Sequence, residues 1–437
     1  MNFDTIAIIG VVLFLVLMFL KMHIGLSMAL SGIVGLFLVR GINPALNISS
    51  IIVWGTGSSY FLTVLPLFIL MGLFAAYGGI SKDAFNSVNK WIGHLKGGLA
   101  MATMLACAAF GAVCGSASAT AATMVAAAFP EMRRYKYNDE LSLGAIAAGG
   151  NLGFIIPPSA SFVVYGFITQ TSIGALFISG ILPGLLLTVL FCITIYIMVL
   201  LKPSLTPSST SYSWLDRLKS FKGLWAVIVV FVLVMGGIYM GVFTPTEAAA
   251  VGAFVTFVIG IATRQLNISK IVKSLYETSK SSAMVFLLMF GAMIFSAFLT
   301  STEITLRLGN LITSLNMNRY VIMAIVLVIY VILGFFMDIW AVQIVSLPIV
   351  FPIIVDVCNF DPLVFGVLCT LTIMIGNITP PVGLVVFVVQ GLAPDVPVYT
   401  IFRGCTPFVI TMVLFLIIVV IFPDLTLVLP SQMLPYR

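Results

Sequence analysis

The sequence predicts an all-α polytopic membrane protein built as an inverted repeat, with two re-entrant helical hairpins and two broken transmembrane helices. Composition is the first reason: 61% of the residues are hydrophobic, 8% are charged and the mean hydropathy is +1.21, whereas an average soluble protein is about 25% charged. Double prolines inside apolar stretches, Pro157-Pro158 and Pro380-Pro381, are the second reason. The recurrence of such landmarks in both halves of the chain is the third.

Ten apolar stretches approach the length that a helix needs to cross a bilayer, which is about 20 residues. The first follows Asp4 and precedes Lys21, the reverse of the charge order of a cleavable signal, so we interpret it as a retained span. The predicted spans are 3–20, 24–40, 51–77, 141–168, 174–201, 223–243, 246–263, 281–300, 362–391 and 400–422.

Two further apolar regions, 97–130 and 319–355, are each long enough for two helices. Both are interrupted midway, at 111–118 and at 334–338, where glycine occurs together with serine or aspartate. We interpret both regions as hairpins that return to the side from which they entered.

The positions of the basic residues support this interpretation. If the first span runs inward and both hairpins are re-entrant, 16 of the 20 lysines and arginines are cytoplasmic, as the positive-inside rule requires. The extracytoplasmic ones are Arg40, Arg307, Arg319 and Arg437. Counting either hairpin as one crossing would invert every later loop. Both termini are therefore predicted to be extracytoplasmic.

With this topology the two halves become inverted copies of each other. Gly111 and Gly334 at the hairpin turns are 223 positions apart, and so are Pro157 and Pro380 at the breaks. A short polar helix with an apolar stripe precedes each hairpin. The stripes are Ala84, Val88, Trp91, Ile92 and Leu95 in the first half and Ile304, Leu308, Leu311, Ile312 and Leu315 in the second. Chance similarity among apolar segments is the alternative, but the landmarks agree in order and offset.

These landmarks predict the organisation of the chain. Residues 1–50 form amino-terminal scaffold helices, and 51–201 form the first repeat with its broken helix at 141–168. A cytoplasmic loop with linking and scaffold helices occupies 202–280. The second repeat covers 281–422 with its broken helix at 362–391, and 423–437 form an extracytoplasmic tail.

The first break is a pointer to a binding site. Proline removes a backbone donor and clashes with the preceding turn, and membrane proteins tolerate this only where the backbone lines a cavity or is buried in protein. Pro157 and Pro158 should deprive the carbonyls of Gly153 and Phe154 of their helical donors, beside Asn151.

The hairpin stretch 111–120 supplies glycines and hydroxyls close to that break. Glycine lets carbonyls point inward, and hydroxyl oxygens can complete the shell of a hard cation such as Na⁺. Packing between membrane helices is the alternative, because small residues are also common at ordinary helix contacts.

The second half repeats this pattern. Pro380 and Pro381 should free the carbonyls of Gly376 and Asn377, and Thr379 offers a hydroxyl beside them. The residues again predict a site built from neutral oxygen atoms.

Asp338 adds a charge at the turn of the second hairpin. An ionisable residue inside apolar sequence is expensive and is by default a functional hypothesis. Three roles stay open: Asp338 ligates a cation, carries a proton, or caps the half-helix that begins at Ile339.

An anion could bind without any basic side chain. The half-helices that follow Pro158 and Asp338 present free N–H groups and the positive ends of their dipoles. Ser116, Ser118 and Ser159 would be the hydrogen-bond donors, and no lysine or arginine lies deep in a predicted span.

Other classes fit poorly. The six cysteines lack metal-ligand spacing, so no metal site of that kind and no cofactor are expected. An intramembrane aspartyl protease needs two facing aspartates, but Asp338 is alone because Asp356 and Asp361 fall at a predicted boundary. Paired discontinuous sites also suit occlusion better than a continuous channel. The basic residues are scattered, which does not indicate a nucleic-acid partner.

Together these motifs resemble the large membrane subunit of tripartite ATP-independent periplasmic (TRAP) transporters, over nearly the whole chain. The resemblance rests on the Gly-Asn-x-x-Pro-Pro break at 376–381, the Gly-Ser-x-Ser hairpin at 115–118, and the stretches 157–159, 165–166, 172–177 and 244–249.

The resemblance implies an elevator-type, sodium-driven importer of a small organic anion in a bacterial inner membrane. It also implies two protein partners, a small membrane subunit and a soluble extracytoplasmic substrate-binding protein. The coupling ion would be Na⁺, and the chain would contact membrane lipid.

The resemblance further implies where the ligands bind, largely through backbone oxygens. The first Na⁺ site would involve Gly115, Ser116, Asn151, Gly153 and Pro157. The second would involve Met337, Asp338, Gly376, Thr379 and Pro380. Substrate would lie near Ser116 and Ser118.

One departure leaves the substrate open. Some members, including dicarboxylate-type ones, carry an aspartate just after the hairpin serines, whereas this chain has Thr120-Ala121-Ala122-Thr123. C4-dicarboxylates, sialic acids, other sugar acids, 2-oxo acids and sulfonates are all family substrates. A self-sufficient sodium or proton symporter of the same superfamily is the alternative function.

Overall fold

The computed structural model describes residues 3–206, 213–304, 307, 309–310, 314 and 317–432. Every regular element among them is helical. The main helices are Phe3–Phe19, Ile24–Arg40, Ile42–Gly57, Val64–Tyr77, Ile80–Ile92, Gly98–Cys114, Ala117–Arg134, Asp139–Ile155, Ala160–Thr169, Ile173–Leu201, Trp214–Ser220, Trp225–Phe231, Pro245–Ala262, Ile268–Ser301, Arg319–Phe336, Ile339–Pro352, Pro362–Asn377, Leu384–Leu392 and Val398–Ile421.

Within this described part, eight helices are long and apolar enough to cross a bilayer, or up to nine if the bent pair Trp214–Gly223 and Trp225–Tyr239 is one span. Thr5–Phe19 and Ile24–Arg40 are apolar but shorter. The predicted class, an all-helical multi-pass membrane protein, is confirmed.

The predicted span at 51–77 is wrong, because the structure divides it. A helix already begins at Ile42 and ends at Gly57, and the Oγ of the C-cap residue Ser58 donates to the carbonyl of Trp54 at 2.8 Å. A short 3₁₀ turn follows, and the helix resumes at Val64. Serine and glycine near this junction are weak helix formers, and serine also competes for backbone acceptors.

The predicted span at 281–300 is too short, because it is the end of a continuous helix, Ile268–Ser301. Asn267 caps that helix, and its Oδ1 accepts from the Lys270 N–H at 2.9 Å. A capped start allows polar turns to stay helical although their hydropathy is low.

Both hairpins are closed at their base, as a re-entrant hairpin requires. In the first, the Leu99 N–H at the start of one arm donates to the hydroxyl of Tyr137, just after the other arm, at 3.3 Å. In the second, the guanidinium of Arg319 lies 5.3 Å from the ring centroid of Phe360. Tyr137 and Phe360 are themselves 223 positions apart, so the two bases close at equivalent places.

Paired glycines join each hairpin to its broken helix. A Cβ added at Gly111 would lie 2.9 Å from the Cα of Gly153, and one at Gly376 would lie 2.7 Å from the Cα of Gly334. The backbones therefore touch at two places related by the same offset of 223. The prediction that Gly111 and Gly334 lie at the hairpin turns is wrong: both lie about one helical turn before them, because the first arms continue to Cys114 and Phe336. The contacts therefore hold the first arm of each hairpin against its broken helix, which supports the inverted repeat.

The short helix before the first hairpin is Ile80–Ile92. Its buried face carries Ala84 and Phe85, whereas Leu95 is exposed and lies beyond the helix end. The predicted stripe is wrong at that end because the helix stops at Gly93. Its counterparts Leu308, Leu311, Ile312 and Leu315, like Arg437, lie outside the described residues.

Polar contacts join the two halves of the chain at both ends of the first broken helix. At one end Arg133 forms an ion pair with Asp395 at 2.6 Å. At the other, the hydroxyl of Tyr165 donates to the carbonyl of Pro362 at 2.7 Å. The predicted topology places the first pair on one side of the membrane and the second pair on the other.

The helices pack as two groups. Ile268–Ser301 lies mainly against Ile24–Arg40 and Val64–Tyr77. The hairpins and broken helices pack on one another, and each hairpin's second arm contacts the broken helix of the opposite half. We call the first group the scaffold group and the second the hairpin group.

Candidate functional site

The tip of the first hairpin docks directly on the first break. Gly115 has φ +63°, a left-handed conformation that favours glycine. A Cβ there would lie 2.6 Å from the carbonyl oxygen of Pro158. The N–H of Ala160, where the second half of the broken helix begins, donates to the carbonyl of Gly115 at 3.5 Å. Only a glycine therefore fits this junction.

Ser116 begins the second arm of the hairpin. Its Oγ accepts from the Ala119 N–H at 3.5 Å, and its carbonyl accepts from the Thr120 hydroxyl at 2.7 Å. A Cβ at Gly153 would lie 3.2 Å from the Ser116 carbonyl oxygen. The structure thus brings Gly115, Ser116 and Gly153 together, and the Thr120 hydroxyl helps to hold them.

The side chain of Asn151 reaches the other half of the chain. Its side chain is fully buried, and its Nδ2 donates to the carbonyl of Met374, 223 positions later, at 2.9 Å. Its Oδ1 has no hydrogen-bond partner among the described residues, and neither side-chain polar atom of Asn377 has one. A buried amide oxygen without a donor is costly unless a cation or water meets it. These oxygens fit the ligand chemistry of Na⁺.

Two carbonyls predicted to be free are not. The Ser159 hydroxyl donates to the carbonyl of Phe154, and the Thr379 N–H donates to the carbonyl of Gly376 at 3.1 Å. The prediction failed because the chain turns back after each break and supplies a local donor. Ser159 is also fully buried, so its hydroxyl hydrogen is already used rather than offered to a ligand.

The second hairpin tip is Met337-Asp338. Asp338 occupies the N-cap position of Ile339–Pro352 with φ −65° and ψ 156°. Its carboxylate lies near the backbone N–H groups of Ile339 and Trp340, although it makes no capping hydrogen bond of good geometry. Its position therefore fits both capping and cation binding. The carboxylate is half-buried, and no hydrogen bond within the described part joins it to Thr379, whose hydroxyl donates to the carbonyl of Ile375 at 2.6 Å.

A cavity of about 520 Å³ lies between the two helix groups. Ser116 and Ser118 of the first hairpin and Trp340 of the second line it, as do Glu277 and Lys280 of the long scaffold helix. Both predicted substrate serines of the hairpin thus face one cavity, whereas Ser159 is not among its lining residues.

Sequence reasoning missed the two charged residues of this cavity. Lys280 was predicted only as a cytoplasmic charge, because the span was thought to begin at residue 281. The missed signal is the cap at Asn267, which extends the helix through Lys280 without a break.

A buried polar chain between the halves was also missed. Gln343 Nε2 donates to Ser161 Oγ at 2.8 Å, and Ser161 Oγ lies 3.0 Å from Thr370 Oγ1. These residues lie on a hairpin arm and on both broken helices. Single polar residues in apolar helices carry no pattern that predicts their partners.

Two hairpins packed on two broken helices, with a cavity beside the tip of the first hairpin, are the architecture of a membrane transport permease built on an inverted repeat. The chain belongs to the DctM component family of tripartite ATP-independent periplasmic transporters, whose family model matches residues 11–425. This agrees with the resemblance found in the motifs, and the relatives below are permeases rather than enzymes.

Individual relatives support the same family. The chain is 36% identical, over 86% of its length and 87% of the relative, to the C4-dicarboxylate TRAP transporter large permease protein DctM of Pseudomonas aeruginosa. It is 30% identical, over 96% of its length and 97% of the relative, to the sialic acid TRAP transporter large permease protein SiaM of Vibrio cholerae. The solved YdaH transporter of Alcanivorax borkumensis has a similar fold, with a TM-score of 0.61 and 14% identity over 89% of this chain and 88% of that one.

Proposed function

We propose that this chain carries out sodium-coupled uptake of a small organic anion, as the large subunit of a TRAP transporter in a bacterial inner membrane. A small membrane subunit and a soluble extracytoplasmic binding protein would complete the assembly. The main support is one observation: each hairpin packs on its broken helix through paired glycines, and the tip of the first hairpin docks on the first break beside a cavity with charged scaffold residues.

The oxygen atoms at the breaks support Na⁺ as the coupling ion. Asn151 Oδ1 and Asn377 Oδ1 are buried acceptors without donors in the described part, and Asp338 adds a carboxylate. Hard cations prefer such oxygen ligands. The described residues contain no group of three His, Cys, Asp or Glu side chains that could hold a metal ion, so a transition metal has no comparable site there.

The hydroxyls of Ser116 and Ser118 support an anionic, hydrogen-bonding substrate. Both line the cavity, and Ser116 stands at the start of a long helix arm whose N–H groups and dipole favour anions. The two relatives above are named for a dicarboxylate and for sialic acid, and both classes are candidates here.

The division into two helix groups supports an elevator motion. The cavity lies on the boundary between the hairpin group and the scaffold group. If the hairpin group moves past the scaffold group, the two walls of the cavity must therefore separate. The contacts of the hairpins with the broken helices are internal to the moving group and would be preserved.

The test is reconstitution of the chain with its small subunit and binding protein in liposomes. We expect uptake of N-acetylneuraminate, succinate or isethionate that needs an inward Na⁺ gradient and the binding protein, and that an equal K⁺ gradient does not drive. Full uptake without the binding protein would instead favour the self-sufficient symporter. Absence of Na⁺-dependent uptake of all three would contradict the proposal.

A further inference from the structure

The long scaffold helix places a basic side chain in the same cavity as the hairpin serines. Glu277, Lys280 and Ser281 line the cavity of about 520 Å³ together with Ser116 and Ser118. Lys280 is the single lysine or arginine among the described residues that line it.

Lys280 stands at the boundary of the apolar part of its helix. From Ser281 to Ser301 the helix carries no charged residue. A lysine at such a boundary lays its methylene stem along apolar surface and extends its ammonium toward polar surroundings. For Lys280 those surroundings include the cavity.

Its neighbouring charges are occupied elsewhere. Lys270 Nζ donates to the carbonyls of Tyr77 at 3.1 Å and Gln265 at 2.6 Å. Lys273 Nζ lies 5.1 Å from the ring centroid of Tyr77. Glu277 accepts the Tyr77 hydroxyl at 2.9 Å on each carboxylate oxygen.

Lys280 differs from these neighbours. It is exposed and makes no ion pair within the described part of the chain. Of the three lysines on this helix segment, it is the one that both lines the cavity and lacks a protein partner there.

We propose that Lys280 binds the carboxylate or sulfonate of the transported anion, while the hairpin serines bind its neutral polar groups. This rests on the proposed function and deepens it by naming the substrate class. The scaffold side of the cavity carries one ammonium, that of Lys280, and one carboxylate, that of Glu277. Because Glu277 would repel a second negative charge there, we expect a substrate with a single anionic group on that side. Because Lys280 belongs to the scaffold group, it is a specificity residue outside the hairpins.

The first experiment measures the electrostatic effect of Lys280 without any substrate. Ser118→Cys, in a Cys114→Ala background because Cys114 lines the same cavity, is labelled with an anionic and a cationic methanethiosulfonate. We expect Lys280→Gln to lower the ratio of the anionic to the cationic rate about tenfold, because the local potential concentrates anions. Lys280→Arg should preserve the ratio.

Lys273→Gln is the matched control, since it removes the same charge from the same helix outside the cavity. Its rate ratio should stay within about twofold of the parent, because an exposed charge beyond the cavity is screened. An unchanged ratio in Lys280→Gln, or an equal fall in Lys273→Gln, would overturn the proposal.

The second experiment uses the full assembly with N-acetylneuraminate, isethionate and succinate as probes. Lys280→Gln should raise the half-saturating concentration of a transported single anion about tenfold, the loss of one charge-assisted contact. The half-saturating Na⁺ concentration should not change, and Lys280→Arg should restore transport. Carboxylate and sulfonate are distinguished by which probe is transported.

The outcomes separate the two proposals. If no probe shows Na⁺-dependent uptake, the proposed function fails, while the labelling rates still decide the role of Lys280. If uptake is normal and Lys280→Gln leaves the half-saturating concentration unchanged, only the role of Lys280 fails. Preferred transport of succinate would overturn the single-anion class.

Discussion

The two hairpin tips follow one plan but carry different chemistry. Each joins its arms through two residues, and the second of the two stands at a helix N-cap: Ser116 in the first tip and Asp338 in the second. Ser116 and Asp338 both have extended backbone angles, whereas the residues before them differ, because Gly115 is left-handed and Met337 is extended. An inverted repeat can therefore keep its geometry while one copy offers a neutral hydroxyl and the other a charge.

The two breaks differ in the same sense. Pro157 and Pro158 are buried, whereas Pro380 and Pro381 are exposed. Asn151 of the first break reaches across to the carbonyl of Met374 in the other half. The first break is thus locked into the centre of the hairpin group, and the second is more accessible. We therefore expect substitutions at the second break to change ion binding with less effect on stability than substitutions at the first break.

The largest difference is expected at the charged tip. Asp338→Ala should lower the apparent affinity for Na⁺ at least about tenfold, because a bound cation loses a charged ligand. The neutral counterpart Ser116→Ala should change Na⁺ activation less and substrate half-saturation more. The measurement is uptake by the reconstituted assembly as a function of Na⁺ concentration.

Asp356→Ala is the control for that experiment, since it removes an acid from the same hairpin far from the tip. Its Na⁺ activation of uptake should match that of the parent. Unchanged Na⁺ activation in Asp338→Ala, with the protein still monodisperse in detergent, would remove Asp338 from the ion site.

The glycine contacts give the next effect, on stability. A Cβ at Gly376 would lie 2.6 Å from the carbonyl carbon of Gly334 and 2.8 Å from the Val331 oxygen. Backbone atoms cannot move aside cheaply, so Gly376→Ala should destabilise the protein by about 1–3 kcal/mol. Gly111→Ala should cost less because its nearest contact is 2.9 Å. Thermal unfolding of the purified protein measures both.

Gly391 provides the control for added volume, because a Cβ there meets nothing within 4 Å. Gly391→Ala should leave the melting temperature nearly unchanged. If Gly376→Ala melts where Gly391→Ala does, the hairpin is not held against the break through this contact.

Much of this architecture could be predicted because proline and glycine act locally. The double prolines mark both breaks. Gly111 and Gly334 mark the places where each hairpin packs on its broken helix, whereas the turns themselves lie further along, at Gly115-Ser116 and Met337-Asp338. The start of Ile268–Ser301 was misjudged because hydropathy does not register a capped polar turn. Local composition predicts where helices fail better than where they begin.

The details of the site could not be predicted because they depend on contacts between distant segments. The Ser159 hydroxyl takes the carbonyl of Phe154 only because the chain folds back after the prolines. Asn151 finds Met374 only through the pairing of the two halves. Lys280 joins the hairpin serines through the packing of two helix groups. No pattern in a single segment contains this information.

The bases of the two hairpins differ as their tips do. Arg133 joins the first hairpin to Asp139 at 2.7 Å and to Asp395 of the second half at 2.6 Å. The base of the second hairpin is instead an aromatic contact, with the Tyr320 and Phe360 ring centroids 5.7 Å apart. Among the described residues, therefore, only the first base contains ion pairs that acid should weaken.

The hydrogen bond from Arg133 holds the pKa of the Asp395 carboxyl below its ordinary value of 3.8. A carboxyl whose pKa is lower in the folded than in the unfolded protein stabilises the folded state when the pH is above the ordinary pKa. This stabilisation is lost as the pH falls through the lowered pKa. Arg133→Gln should lower the melting temperature at pH 7 by only about 1–2 °C, because exposed ion pairs contribute little. The difference from the parent should shrink as the pH is lowered below 3.8. Arg134→Gln, which loses a 3.7 Å contact to Glu131 and a 5.9 Å contact to the Tyr135 ring within the same segment, should match the parent. An equal loss in both variants would show that general charge, rather than the contact between the halves, sets the stability of the first base.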